Sequence, residues 1–238
     1  ATLVIVGDVQ PDEVKTLVNR YFAHIPARPI PAVKQPLELA EPGQRRLTLY
    51  LKTQLPSLMM GFNVPSLSST DKPTQVHALR LIGALLDGGS SSRLPAQLVR
   101  KQELVAGASA WYNAFSRGDS LFVLSATPNV QKGKTLADVE AGLWQQLKQL
   151  QDTPPSASEL ARVRAQVVAA EVYQRDSITS QATQIGMLET VGLSWRIQDT
   201  DLAALEAVTP ADIQAAAKQF FTQSRATTVY VHPEEARP

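Results

Sequence analysis

Apolar residues recur along the chain with two different periods, and these periods predict its strands and helices. Alternating or continuous apolar runs are typical of strands. These runs lie at 2–6, 45–52, 58–64, 104–113, 120–127 and 226–232. Apolar residues spaced three and four apart predict amphipathic helices, several of which open at Ser, Thr or Pro. Those segments are 11–25, 70–86, 93–100, 135–150, 156–175, 177–192, 202–208 and 210–221.

The order of these elements predicts an α+β fold. Neighbouring strands mostly follow one another without a helical crossover, so the sheet should be largely antiparallel or mixed. The helices should cover one face of that sheet in a layered architecture. Four prolines between positions 26 and 36 predict an extended connector after the first helix. Because the chain begins within a predicted strand and carries no leader, we expect it to be a fragment of a longer protein.

Two strand patterns predict how side chains are distributed over the sheet. Leu47, Leu49 and Leu51 share one face of their run, which predicts a half-buried strand. Trp111 and Tyr112 are adjacent in a strand and therefore face opposite sides. One of them should pack in the core, and the other is then placed to line a cleft.

Charge and composition argue against several classes of function. The net charge is +1 with acids and bases mixed along the chain, whereas a nucleic-acid-binding protein would show a basic stripe. No apolar run approaches the roughly 20 residues that span a bilayer. The absence of cysteine excludes disulfides, thiol catalysis and thiolate metal sites, but leaves the compartment open.

The most distinctive local motif is a turn rich in glycine and serine at 88–92, followed by a short helix. Gly88 and Gly89 free the backbone to bend, and serines such as Ser90 can cap the next helix. Arg93 and Arg100 lie about two turns apart on that helix and can hold a peptide carbonyl or carboxylate with forked donors, unless they form a solvated face. Phosphate binding is disfavoured, because the Walker spacing and its lysine are missing and a helix precedes the turn.

The histidines and serines give no sign of a catalytic centre. His24, His77 and His232 are far apart in sequence, and no pair has the spacing of two zinc ligands on one helix turn. We therefore expect packing or surface histidines and no metal in this chain. The pattern Gly-x-Ser-x-Gly is absent, so turns and caps explain the serine clusters better than a nucleophile does.

Several segments, taken in order, resemble the C-terminal, inactive-type domain of the pitrilysin/insulinase family of zinc peptidases, the inverzincins. They are LVIVGDV at 3–9, YF at 21–22, IP at 25–26, LLDGGSSSRL at 85–94, LVR at 98–100 and VTPADI at 208–213. The resemblance covers essentially the whole chain. It implies a metalloenzyme LuxS/insulinase-like α+β domain, with residues 1–238 as the single C-terminal domain of a longer protein.

The resemblance also implies a division of labour between two homologous domains. The first carries the motif His-x-x-Glu-His and a distal Glu, and its zinc polarises the scissile carbonyl and activates water. The second faces it like the other half of a clamshell and helps to bind an unfolded peptide. This chain is similar to the second domain, so zinc is expected in the preceding half.

One position departs from the family pattern. Many members carry an Arg followed seven positions later by a Tyr, and both contact substrate. Arg100 matches the Arg, but Gly107 stands at the tyrosine position, and Tyr112 follows five residues later on a strand. The candidate substrate-binding residues are Arg100, Arg93, Tyr112, Gly88, Gly89 and Ser90.

The sequence therefore predicts the substrate-binding C-terminal domain of a bacterial zinc endopeptidase that acts on peptides or unfolded proteins. The alternative is a non-catalytic scaffold subunit of the same family. The expected partners are the zinc-bearing half of the same protein, a peptide substrate, and a paired family subunit or a second copy. An apolar face bare of its partner half would favour weak self-association. The periplasm is favoured over the cytoplasm as the compartment.

Overall fold

The computed structural model describes residues 2–29 and 41–236. Its strands are β1 (Arg45–Leu51), β2 (Ser57–Val64), β3 (Val105–Tyr112), β4 (Ser120–Pro128) and β5 (Ala226–Pro233). Its α-helices are α1 (Pro11–Phe22), α2 (Pro73–Asp87), α3 (Leu136–Asp152), α4 (Ala157–Gln174), α5 (Ile178–Val191), α6 (Gln198–Glu206) and α7 (Pro210–Phe220). A π-helix, Leu94–Lys101, lies between α2 and β3.

The five strands form one mixed sheet with the order β1-β5-β2-β4-β3. The β1–β5 pair is parallel, and the other neighbours are antiparallel. Within this sheet β3 and β4 follow one another in the chain and pair antiparallel. The predicted α+β class with a mixed sheet is confirmed.

Helices cover one face of the sheet and form the core with it. On β4, Phe122, Leu124 and Ala126 are buried and alternate with more exposed residues. Helices α3 and α7 pack on this side, where Phe221 lies edge-to-face against Phe62 and Phe122, with ring centroids 5.1 and 4.9 Å apart. Such aromatic pairs add directional contacts to apolar burial.

Local capping chemistry explains why two long helices begin where the sequence predicts. Thr135 opens α3 and Thr209 opens α7, each in a reciprocal capping box with an aspartate at the third helical position. The hydrogen bonds from Thr135 hold the pKa of Asp138 below its usual range. Ser156 caps α4 by accepting from the Glu159 N–H, but the Glu159 carboxylate binds elsewhere.

The N-terminal segment differs from the sequence prediction. Residues 2–6 form no strand, and the sheet of the described ranges is complete without them. Helix α1 forms as predicted, yet none of its residues is buried. Its apolar side has no core to pack on within residues 2–29 and 41–236.

The leucine face of β1 also differs from the prediction of a half-buried strand. Leu47, Leu49 and Leu51 are all exposed. The opposite side of the strand faces the helices, where the Arg46 guanidinium bonds Glu140 of α3 at 2.8 Å and the Tyr230 hydroxyl at 2.6 Å. Alternation placed the leucines on one face correctly, but the helices cover the other face.

Candidate functional site: the glycine-serine turn and the open sheet face

The glycine-serine turn ends α2 with two positions that require glycine. The Gly88 N–H donates to the Ala84 carbonyl at 2.7 Å, and a Cβ at Gly88 would collide with that same carbonyl oxygen. Gly89 has φ of +125°, a backbone region that side chains disfavour. Gly88, Gly89 and Ser90 are all exposed. The turn therefore presents backbone at the surface.

The serines of this turn do not cap the following helix, contrary to the sequence prediction. The Ser92 hydroxyl donates back to the Gly89 carbonyl, and the Ser91 hydroxyl accepts from Arg162 on α4 at 2.9 Å. The residue at the N-cap of the π-helix is Arg93, with no side-chain cap. Serine hydroxyls often bond their own turn in this way, which competes with capping.

Arg93 and Arg100, at opposite ends of the π-helix, have different surroundings. The Arg93 fork binds the Glu159 carboxylate with Nε and Nη2 at 2.9 and 2.8 Å. This hydrogen bonding holds the pKa of Glu159 below its usual range. Arg100 is exposed and has no hydrogen bond or ion pair with any described residue. Of the two, Arg100 has its donors available to a ligand, while Arg93 fixes the π-helix to α4.

Tyr112 and Trp111 lie on opposite faces of β3, as predicted. The Tyr112 ring stacks on Phe122 on the helix-covered side, and its hydroxyl donates to the Pro65 carbonyl at 2.6 Å. Burial raises the pKa of the Tyr112 hydroxyl well above its usual range. Trp111 is 60% exposed on the other side, the face that Gly107 shares. A direct contact of Tyr112 with peptide stays a prediction, and Trp111 is the exposed aromatic residue of this strand.

The uncovered face of the sheet, which we call the open sheet face, is rich in apolar side chains. The strand registers and the burial pattern place these residues on it. The apolar and small residues on it include Leu47, Leu49, Leu51, Met59, Gly61, Gly107, Ser109, Trp111, Leu121, Val123, Ser125, Val229 and Val231, and the polar residues Ser57, Asn63, Thr127 and Thr227 share it. Among the described strand positions on this face, Arg45 alone is charged. A monomer rarely leaves a contiguous apolar surface uncovered without a binding role.

Two apolar groups lie on the open sheet face. The aliphatic patch consists of Leu47, Leu49, Leu51, Met59, Val229 and Val231. The aromatic corner consists of Trp111, Val123 and Leu121, with Trp111 directly opposite Val123 in the β3–β4 register. In the β2–β4 register Gly61 lies opposite Val123, and Ser125 lies opposite Met59. Because Gly61 and Ser125 are small, the surface between the two groups protrudes less than the groups themselves.

The open sheet face is not among the features predicted from the sequence. A usable signal was present, because strands with consecutive apolar residues, such as 58–60 and 121–124, carry apolar side chains on both sides. Such a strand needs a partner on each face, and the helices of this domain supply only one.

The histidines are separated in the structure as well as in the sequence. His24 is exposed, and His77 is buried in α2 with Nδ1 3.8 Å from Asp201 Oδ1. His232 stacks on Tyr50 where β5 pairs with the edge strand β1. Across the described ranges, no three His, Asp or Glu side chains lie close enough to hold a metal ion. Within these ranges the side chains therefore do not form a catalytic zinc site.

A buried charge cluster joins the three helices α2, α4 and α6. The Arg80 guanidinium of α2 bonds both Asp201 oxygens of α6 at 2.8 and 2.7 Å and Glu171 of α4 at 2.8 Å. Its carbon lies 5.3 Å from the Phe115 ring centroid. The hydrogen bonds of Arg80 are made within the cluster, so we assign the cluster a structural role, in stabilising the helices that carry the site.

None of the described helices is long and apolar enough to cross a lipid bilayer.

Comparison with solved structures finds the same fold in several peptidases. A protease from Helicobacter pylori matches with a TM-score of 0.83 and 21% identity over 96% of this chain and 54% of its own. The inactive peptidase domain of a candidate zinc protease from Bordetella parapertussis matches with a TM-score of 0.66 and 20% identity, covering 78% of this chain and 94% of that one. The periplasmic protease PqqL from Escherichia coli matches with a TM-score of 0.74 and 11% identity, covering 96% of this chain and 26% of that one.

This chain thus spans about half the length of the H. pylori protease. No curated protein sequence matches it significantly. The family profile described as "Peptidase M16 inactive domain" matches residues 1–167, well over half of the chain. The chain belongs to this family, the C-terminal inactive-type domain of the pitrilysin peptidases.

Proposed function

We propose that this domain is the substrate-binding half of a zinc endopeptidase, and that its open sheet face lies against an unfolded peptide. The observation that carries the proposal is the one-sided helix layer, which leaves a face with exposed Met59, Trp111 and Leu121 uncovered. In this proposal the zinc and the activated water belong to the preceding half of the same protein. That half is the domain's first partner, and a paired family subunit or a second copy is a further one.

The composition of the open sheet face suits a transient ligand. Exposed leucines and half-buried valines offer apolar contact, but serine and glycine interrupt them at Ser109, Ser125 and Gly61. Interfaces that open and close mix apolar and polar surface in this way, whereas permanent interfaces resemble a cut core. A substrate that must be released after cleavage requires such a surface.

Arg100 is the proposed contact for the peptide backbone or its carboxylate. It lies where the π-helix leads into β3, and its donors are unused within the described residues. Replacement by alanine should lower kcat/KM by about tenfold to a hundredfold, the loss of one charge-assisted contact of roughly 1.5–3 kcal/mol. Arg93 and Tyr112 act as positioning residues in this scheme, through Glu159 and Pro65.

The test uses the full-length protein and an unstructured fluorogenic peptide. Met59→Lys places a charge in the middle of the open sheet face, and Gln145→Lys places the same charge on the exposed side of α3. We expect Met59→Lys to reduce kcat/KM at least about tenfold and Gln145→Lys to leave it unchanged, because a buried unpaired charge opposes docking.

Equal, unimpaired kinetics in both folded variants would contradict the proposal and favour the scaffold alternative. A full-length protein that cleaves no peptide at all would also favour the scaffold alternative. A periplasmic location is a further part of the proposal, supported by the similarity in fold to PqqL, a periplasmic protease of E. coli.

A further inference from the structure

We propose that this half selects peptides by their apolar side chains, with Trp111 as the anchor, and does not pair the peptide backbone with the edge of β3. This inference rests on the proposed function. It concerns which feature of the peptide this half recognises.

The edge of β3 is closed to strand addition. β3 is an edge strand, since it pairs only with β4. The outward Ala110 N–H, however, donates to the Asp87 carboxylate at 3.1 Å. Both α2 and the π-helix also lie against this strand. A peptide can add to a sheet only where a row of N–H and C=O groups is free, so β3 offers no such row at its centre.

The aromatic corner offers what the edge does not. Trp111 is 60% exposed and Leu121 is 51% exposed, although both belong to strands of a well-packed sheet. Along β3 the neighbours of Trp111 on this face are Ser109 and Gly107, which are too small to cover the indole. A large, rigid aromatic ring that is surrounded by small residues can serve as an anchor for a ligand side chain.

The charges around the corner define the class of peptide. No acidic residue occupies a described strand position of the open sheet face, and Arg45 lies on β1, at the opposite edge of the sheet from β3. A charged peptide side chain would therefore lose water against Trp111 and find no opposite charge on the sheet surface beneath it, since the exposed Arg117 and Asp119 lie outside that surface, in the connection between β3 and β4. The fitting occupant is an unfolded segment with aromatic or branched aliphatic side chains.

The experiment measures selectivity in the full-length protein with two unstructured peptides that share one cleavage site. One peptide carries Phe and Leu outside that site, and the other carries Ser at those positions. In the wild type we expect the apolar peptide to be preferred by at least about tenfold in kcat/KM, the range set by differences in apolar side chains. Trp111→Ala should remove most of this preference, mainly through KM, and Trp111→Phe should restore part of it.

Leu121→Ala, in the same aromatic corner, should weaken the preference less than Trp111→Ala does, because Trp111 is the proposed anchor. The variants should also differ spectroscopically: the apolar peptide should shift the tryptophan emission of the wild type more than that of Trp111→Phe. Circular dichroism reports whether each variant is folded.

The outcomes separate this inference from the proposed function. If Trp111→Ala slows both peptides equally or leaves the preference intact, apolar selection by Trp111 is wrong, even where Met59→Lys still impairs cleavage. If neither Met59→Lys nor Trp111→Ala affects either peptide, the proposed function itself fails.

Discussion

Removal of one carboxylate from the buried charge cluster tests whether that cluster stabilises the three helices that it joins. In Asp201→Ala, Arg80 loses two hydrogen bonds of 2.8 and 2.7 Å and keeps Glu171 at 2.8 Å. The Arg80 and Asp201 side chains are 10% and 9% exposed, so solvent can replace little of what is lost. The guanidinium is left buried with one partner instead of two.

The expected destabilisation follows from this burial. Breaking a buried ion pair by removing one partner costs about 3–5 kcal/mol. Because Glu171 remains, we expect the lower end, about 3 kcal/mol. For a chain of this length that corresponds to a fall in Tm of roughly 6–12 °C.

Urea unfolding followed by circular dichroism gives the free energy directly, with the m-value as a check for two-state behaviour. The matched control is Lys148→Ala, which removes an exposed ion pair to Asp152 and should cost less than about 0.5 kcal/mol. The double variant Arg80→Met with Asp201→Leu should lose about 1–3 kcal/mol less unfolding free energy than the two single variants lose together. A loss under about 0.5 kcal/mol for Asp201→Ala, or strict additivity in the cycle, would refute the reasoning.

Three further predictions concern the backbone, the pH dependence and the N-terminal segment. Glu103 has φ of +46°, so Glu103→Gly should be about 1 kcal/mol more stable than Glu103→Ala, as measured by urea unfolding, although both lose the ion pair to Lys132. Burial and the nearby Arg80 together outweigh Asp201 and hold the pKa of His77 below its ordinary 6.5. Neutral His77 therefore contributes stability that is present above pH 6.5 and lost as the pH falls, and His77→Gln should flatten that part of a pH–stability curve. Because no residue of α1 is buried, a chain that begins at residue 30 should keep its Tm within about 2 °C in calorimetry, whereas a larger fall would place 2–29 inside the same cooperative domain.

The sequence predicts those features that local chemistry decides. Thr135 and Thr209 open their helices because each cap lies three residues from its partner aspartate. The opposite orientation of Trp111 and Tyr112 follows from the period of a strand in the same way. These parts of the fold need no knowledge of distant residues.

Features decided by distant contacts were not predictable. Arg93 is a ligand candidate by its sequence alone, but Glu159, 66 positions away, occupies its fork. The leucines of β1 alternate as core residues do, yet which face the helices cover depends on α3 and α7, far along the chain. The topology therefore decides which face stays open, although the consecutive apolar residues of β2 and β4 already signal that those strands are apolar on both sides.

Site-specific photo-crosslinking in the full-length protein shows whether the open sheet face contacts the peptide. A crosslinking amino acid at Ser109 lies in the middle of β3 on this face, and one at Gln145 lies on the exposed side of α3. With a chelator present to prevent cleavage, we expect peptide adducts from position 109, suppressed by excess unlabelled peptide, and none from position 145. Equal labelling at both positions, or labelling at 145 alone, would contradict it.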